Sequence, residues 1–153
     1  MLFCADVIKQ FLDAGIDVNT VAEGDGTALI GACKGGHVEL VRYLIERGAD
    51  VNLASRGDGN PLINAASKGH IEIVRILLDA GADINEVVPG DENPLINAAW
   101  YGEEKVVKLL IERGADVNAR AYERDEVRTP LRMARKERHD RIIRMLVAAG
   151  AKE

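Results

Sequence analysis

Aromatic side chains make up only 4% of these 153 residues, as one Trp, three Tyr and two Phe. That scarcity argues against a surface that stacks nucleic-acid bases on rings. Cysteine is nearly absent, and Cys4 and Cys33 alone make no disulfide framework. They read as free thiols in a cytoplasmic or other reducing compartment. No apolar run approaches the ~20 residues that span a bilayer, so no membrane insertion is expected. The opening stretch MLFCADVIKQ carries Asp6 and has neither a basic start nor a small-residue cleavage site, so no signal peptide is expected. A chain of about 150 residues hides roughly 68 to 70% of its unfolded surface, so size gives no reason to look for staples.

The net charge of -5 hides an asymmetry. Residues 1–118 carry 10 Lys/Arg against 19 Asp/Glu, a balance of -9, and residues 119–153 carry 10 against 6, or +4. A negative body with a positive end follows.

What the chain has in abundance is itself. GIDVN begins at Gly15, GADVN at Gly48, GADIN at Gly81 and GADVN at Gly114, each 33 residues after the last. GAKE follows at Gly150 after a step of 36, which places three extra residues in the final unit. In the same phase lie TALIGA from Thr27, NPLINA from Asn60 and again from Asn93, and TPLRMA from Thr129. Thr or Asn before Pro is an N-cap followed by the residue best tolerated at the first helical position. The spacing predicts a short helix from Pro61 to about Lys68, stopped by Gly69 in the left-handed conformation, as Gly36 and Gly102 stop its copies. HIEIVRILLDAG then puts Ile71, Val74, Leu77 and Leu78 on one stripe of a second helix ended by Gly81. EGDG, RGDG and PGDE, at 23–26, 56–59 and 89–92, are rich in turn formers and read as exposed finger tips between helix pairs.

This unit resembles the ankyrin repeat, and the resemblance covers essentially the whole chain. It implies an all-α solenoid of stacked helix-turn-helix units with short β-turn fingers. The expected organisation is one domain over 1–153: a partial repeat (1–19), full repeats (20–52, 53–85, 86–118) and a C-terminal capping repeat (119–153). The chain departs from the family at the histidine of its Thr-Pro-Leu-His start, where Ile30, Ile63, Ile96 and Arg132 stand. It departs again at Arg138, which occupies the glycine position of the last unit. A left-handed residue there would cost about 1 to 2 kcal/mol, so a differently built turn is expected. Aligned by the period, Met1 corresponds to Lys34, which leaves the edge carrying Leu29, Ala32 and Cys33 without its usual neighbouring helix.

Chemistry-bearing motifs dissolve into the period. His37 and His70 are one repeat position seen twice, with His139 near the equivalent place. The resemblance implies that these rings join helices rather than bind a metal. No His-Glu-x-x-His, no two-cysteine ligand cluster and no Gly-x-x-x-x-Gly-Lys occurs, so no metal, cofactor or catalytic residue is assigned. Arg56-Gly57-Asp58 shares its Gly-Asp with Gly24-Asp25 and Gly90-Asp91, which makes it a repeat turn. Asp17, Asp50, Asp83 and Asp116 recur just past helix ends as turn formers. The basic run around Arg132, Arg135, Lys136, Arg138, Arg141 and Arg144 reads as a polar cap on the last unit, with no nucleic-acid partner.

One difference between copies remains. NPLINAASKG (60–69) becomes NPLINAAWYG (93–102), with Ser67-Lys68 replaced by Trp100-Tyr101. The resemblance implies that these positions lie on a concave surface of fingers and first helices where protein partners bind. On that basis Trp100, Tyr101, Ser67, Lys68, Lys34, Arg56 and Glu92 are the expected partner-binding residues. Exposed aromatics often dominate interface energy. The competing expectation is that Trp100 packs on the longer last finger around Tyr122. Leu2, Phe3, Trp100 and Tyr101 are the candidates for self-association into a symmetric homo-oligomer. The expected function is a non-catalytic interaction or assembly scaffold. Two finer readings stay open: an engineered array that self-associates, and an array resembling the appendage of some bacterial membrane-anchored sensor metallopeptidases.

Overall fold

The computed structural model describes residues 2–22 and 26–152, with side chains from residue 5 onward. Its elements are α1 (Leu2–Asp13), α2 (Ala28–Gly35), α3 (Val38–Glu46), α4 (Pro61–Ser67), α5 (Ile71–Asp79), α6 (Pro94–Tyr101) and α7 (Glu104–Glu112). They continue with β1 (Ala121–Glu123), β2 (Glu126–Arg128), α8 (Pro130–Lys136) and α9 (Asp140–Ala148). The molecule is an all-α solenoid in which α2, α4, α6 and α8 stack in one layer and α3, α5, α7 and α9 in a second.

Each first helix starts as its sequence dictates. The side chains of Thr27, Asn60, Asn93 and Thr129 accept the backbone amides of Ile30, Ile63, Ile96 and Arg132. Each such cap supplies an acceptor for one of the N–H donors that a helix start otherwise leaves unpaired, typically worth about 1 kcal/mol. Each helix also stops as expected: Gly36, Gly69 and Gly102 have φ of 75°, 72° and 81°. At Gly102 glycine is required twice over, because a Cβ there would lie 2.7 Å from Cε1 of His139 in the next unit. Arg138 corrects the expectation of a different last turn. It adopts φ of 60° and the turn closes as in the other units, with His139 N–H donating to Ala134 O as His37 N–H does to Ala32 O. Position in the repeat outweighs the local strain.

The second helices carry the core. Leu44, Leu77, Leu110 and Leu146, one per helix, are fully buried. On α5 the buried stripe is Ile73, Val74 and Leu77, while the predicted Ile71 and Leu78 are half-buried at its edges. Fully burying one leucine contributes about 1.5 to 3 kcal/mol, so each of these leucines is a sizeable part of the cohesion between neighbouring units.

A polar ladder runs along the outside. Asp17, Asp50, Asp83 and Asp116 each accept the backbone amide of the asparagine two residues later, which fixes the turn. The asparagines reach forward: Asn19, Asn52, Asn85 and Asn118 accept the amides of Asp50, Asp83, Asp116 and Lys152 at 2.7 to 2.8 Å. Aspartate shapes each unit and asparagine fastens it to the next.

The fingers close through single bridges, Ala22 with Gly26, Ser55 with Gly59 and Val88 with Glu92. The three extra residues of the last unit lengthen its finger into the antiparallel hairpin β1–β2, with Tyr122 opposite Val127.

Candidate functional site

Between the fingers and the first helices lies a shallow groove of about 180 Å³, whose lining includes Lys34, Asp58, Ser67, Lys68, Asp91 and Tyr101. Four expected partner-binding residues, Lys34, Ser67, Lys68 and Tyr101, are thus brought together. They come from three successive first helices, one turn of the solenoid apart. Arg56 is exposed at a finger tip beside Gly57, whose φ is 84°, and the Arg56-Gly57-Asp58 tripeptide is closed by Asp58 N–H donating to Ser55 O.

The groove also holds a residue that sequence reasoning missed. Asp91 Oδ2 is buried and has no hydrogen-bond partner. Burial pushes the Asp91 carboxyl above its ordinary range. The backbone amide of Gly59 opposes that shift and the charge of Asp58 adds to it. Asp91 sits in the middle of the turn whose carbonyl takes Asn97 Nδ2 at 2.6 Å. Its signal in the sequence was the recurring Gly-Asp of the fingers, which only marked a turn.

Glu92 lies elsewhere. It is 6% exposed, so it corrects the expectation of a residue offered to a partner. By the period it stands where Gly26 and Gly59 stand, at φ of 59° against their 66° and 67°. A left-handed glutamate is strained by about 1 to 2 kcal/mol. Its carboxylate pairs with Arg128 of the last hairpin, which also pairs with Glu123 and lies 3.7 Å from Glu126. Burial raises the Glu92 carboxyl, and Arg128 pulls it back without cancelling the shift. For Arg128, burial works against the charge, and the bond to Glu92 together with the charges of Glu92, Glu123 and Glu126 more than restores it.

Trp100 belongs to this second cluster. The Arg128 guanidinium carbon lies 4.5 Å from its ring centroid and Lys136 Nζ 5.7 Å. The ring is half-buried, packed against Ile96, Ala121 and Met133, and its carbonyl bonds His139 Nε2 at 3.0 Å. Both ring and backbone are engaged internally, and Trp100 covers the junction with the last unit. Tyr122, expected beside it, is instead 70% exposed, and Arg128 takes that place. Tyr101 is 58% exposed and stacks on Trp100 with centroids 6.0 Å apart and planes 20° off parallel. The two halves of the aromatic pair therefore differ: one is a lid, the other a surface. Three departures from the period coincide here, Gly to Glu92, Ser to Trp100 and the three-residue insertion, and together they were the legible sign of a local cluster.

The remaining reactive side chains are structural. Cys33 is fully buried in α2 where Ala66 and Ala99 stand in the copies, and burial pushes its thiol up to about 12, so it carries no thiolate at neutral pH. The rings of His70 and His139 fill the space over Gly36 and Gly102 of the preceding unit, so they join neighbouring units. Glu103 takes the same place over Gly69. No group of three or more metal-ligating side chains occurs among the described residues. Among them no helix is long and apolar enough to cross a membrane. Leu2 begins α1, but the side chains of Leu2 and Phe3 lie outside the described residues.

A family model for ankyrin repeats, in three copies, matches residues 3–88 and 55–121. The chain belongs to the ankyrin-repeat family. Ankyrin repeats generally serve as protein–protein interaction modules, and the family is typically non-enzymatic. No curated protein matches this chain.

Proposed function

We propose that this ankyrin array is a non-catalytic binding module that takes a segment of a partner protein along the groove between its fingers and first helices. The observation that carries the reading is Tyr101, a largely exposed ring that lines the groove together with Lys34, Ser67 and Lys68. An exposed aromatic there supplies apolar contact at little entropic loss. Lys34, Lys68, Asp58 and Asp91 line the same groove, so it presents charge of both signs that selects orientation as well as partner.

The test places a photo-crosslinking amino acid at position 101, and separately at the exposed Arg75 of α5, in extracts of the source cells. A protein captured from position 101 and not from 75, with capture blocked by wild-type competitor but not by Tyr101→Lys competitor, supports the groove. Equal capture from both positions overturns it. Capture of a second copy of this chain through position 101 would make the groove a self-association surface instead.

A further inference from the structure

The last finger shows how this molecule holds an arginine. Arg128 lies 4.5 Å from the Trp100 ring centroid while its guanidinium pairs with the Glu92 carboxylate, so a ring on α6 and a carboxylate on a finger grip one cation together. A planar guanidinium can stack on a ring and offer its edge N–H groups to a carboxylate at the same time, which a compact ammonium does less well.

The neighbouring groove repeats those two ingredients without the arginine. Tyr101 follows Trp100 on α6 and Asp91 precedes Glu92 on its finger, and both line the groove. Asp58, at the repeat position of Asp91, lines it from the preceding finger. The Tyr101 ring is 58% exposed and Asp58 is half-buried. The charge of Asp58 helps to push up the Asp91 carboxyl, so the two carboxylates stand close enough to repel each other. Neither makes an ion pair among the described residues, although Lys34 and Lys68 line the same groove. An exposed ring beside two repelling carboxylates lacks the third member that the last hairpin supplies to Trp100 and Glu92.

Building on the reading of this groove as the binding face, we infer that it takes one arginine side chain of the partner segment, stacked on the ring of Tyr101 with its guanidinium edge toward Asp58 and Asp91. A space of about 180 Å³ is smaller than the about 300 Å³ at which ligand pockets usually begin, and it suits the end of a single side chain. The net charge of -5 draws a cation toward the array. Lys34 and Lys68 on the walls of the groove disfavour a run of basic residues, so one arginine fits better than a polybasic segment.

The test selects peptides from a random display library on the full-length protein and keeps those whose binding is lost in Tyr101→Lys. These peptides should share an arginine. Changing it to alanine should weaken binding at least about tenfold, and changing it to lysine should weaken binding several-fold. Asp58→Ala should weaken the same peptides at least about tenfold while keeping the parent's helical spectrum. Tyr101→Phe, which keeps the ring face, should bind like the parent, and Tyr101→Leu should bind more weakly. Peptides that depend on Tyr101 but share no arginine, or that accept lysine equally well, overturn this inference and leave the groove as the binding face. Unchanged affinity in Asp58→Ala, or equal binding by Tyr101→Phe and Tyr101→Leu, does the same. A library that yields no peptide dependent on Tyr101 overturns both readings.

Discussion

Arg128 lies over the ring of Trp100 at 4.5 Å while its guanidinium pairs with the buried carboxylate of Glu92. One side chain thus links the last hairpin to α6 and to the preceding finger, which makes it the fastening of the final unit. The aromatic pair then divides by role. Trp100→Ser, the residue of the sister copy, should destabilise the fold by about 1 to 3 kcal/mol, less than a fully buried tryptophan because the ring is half-buried. Tyr101→Lys should change stability by less than about 0.5 kcal/mol. Chemical denaturation of the two single variants checks this, and equal effects would mean that the ring of Tyr101 is also structural.

Removing Arg128 leaves Glu92 charged, buried and unpaired. Arg128→Ala should cost about 3 kcal/mol or more, in the range found for breaking buried pairs. Glu92→Gly restores the residue of Gly26 and Gly59 and relieves a left-handed side chain, while Arg128 keeps Glu123 and Glu126. In that background Arg128→Ala should be milder. A double-mutant cycle with no coupling would show that the pair is energetically idle.

The strain at Arg138 invites a simple gain. Its φ of 60° is the conformation held by glycine in the other units, and Arg138→Gly should stabilise the protein by up to about 1 kcal/mol. The greater freedom of glycine in the unfolded chain offsets part of the gain. A lowered melting temperature would contradict this.

Asp91 gives a pH dependence of definite sign. Its carboxyl is raised by burial, so the native state binds a proton at a pH where the unfolded chain does not. The resulting penalty is complete above the raised folded value and disappears as pH falls to the ordinary aspartate value of about 3.9. Asp91→Asn should therefore be more stable than the parent at neutral pH, with the difference shrinking as pH falls through that window. A difference constant from pH 7 to pH 4 would show that Asp91 keeps its ordinary acidity.

The fold was legible because each signal is local and repeated: caps at Thr27, Asn60, Asn93 and Thr129, stops at Gly36, Gly69 and Gly102, and one leucine per second helix. The site was legible only in part. Lys34, Ser67, Lys68 and Tyr101 share a groove because the period carries them there. Trp100 and Glu92 read as surface by the same rule, and the structure buries Glu92 and half-buries Trp100 because Arg128 arrives on a hairpin that no other unit possesses among the described residues. Periodicity fixes where a Cβ points, not what a non-repeating neighbour lays over it. The asparagine ladder escaped notice for a related reason, since its bonds run between units while sequence reasoning described one unit at a time.

That ladder gives the molecule a direction. Asn19 grips residues 48 and 50, Asn52 grips 81 and 83, and Asn118 grips 150 and 152, always toward the C-terminus. In a linear lattice with only nearest-neighbour coupling, removing one such link weakens a single interface term, so the blocks on either side of it melt less tightly coupled. A single asparagine on the solvent side thereby contributes to the length over which one end of the solenoid senses the other.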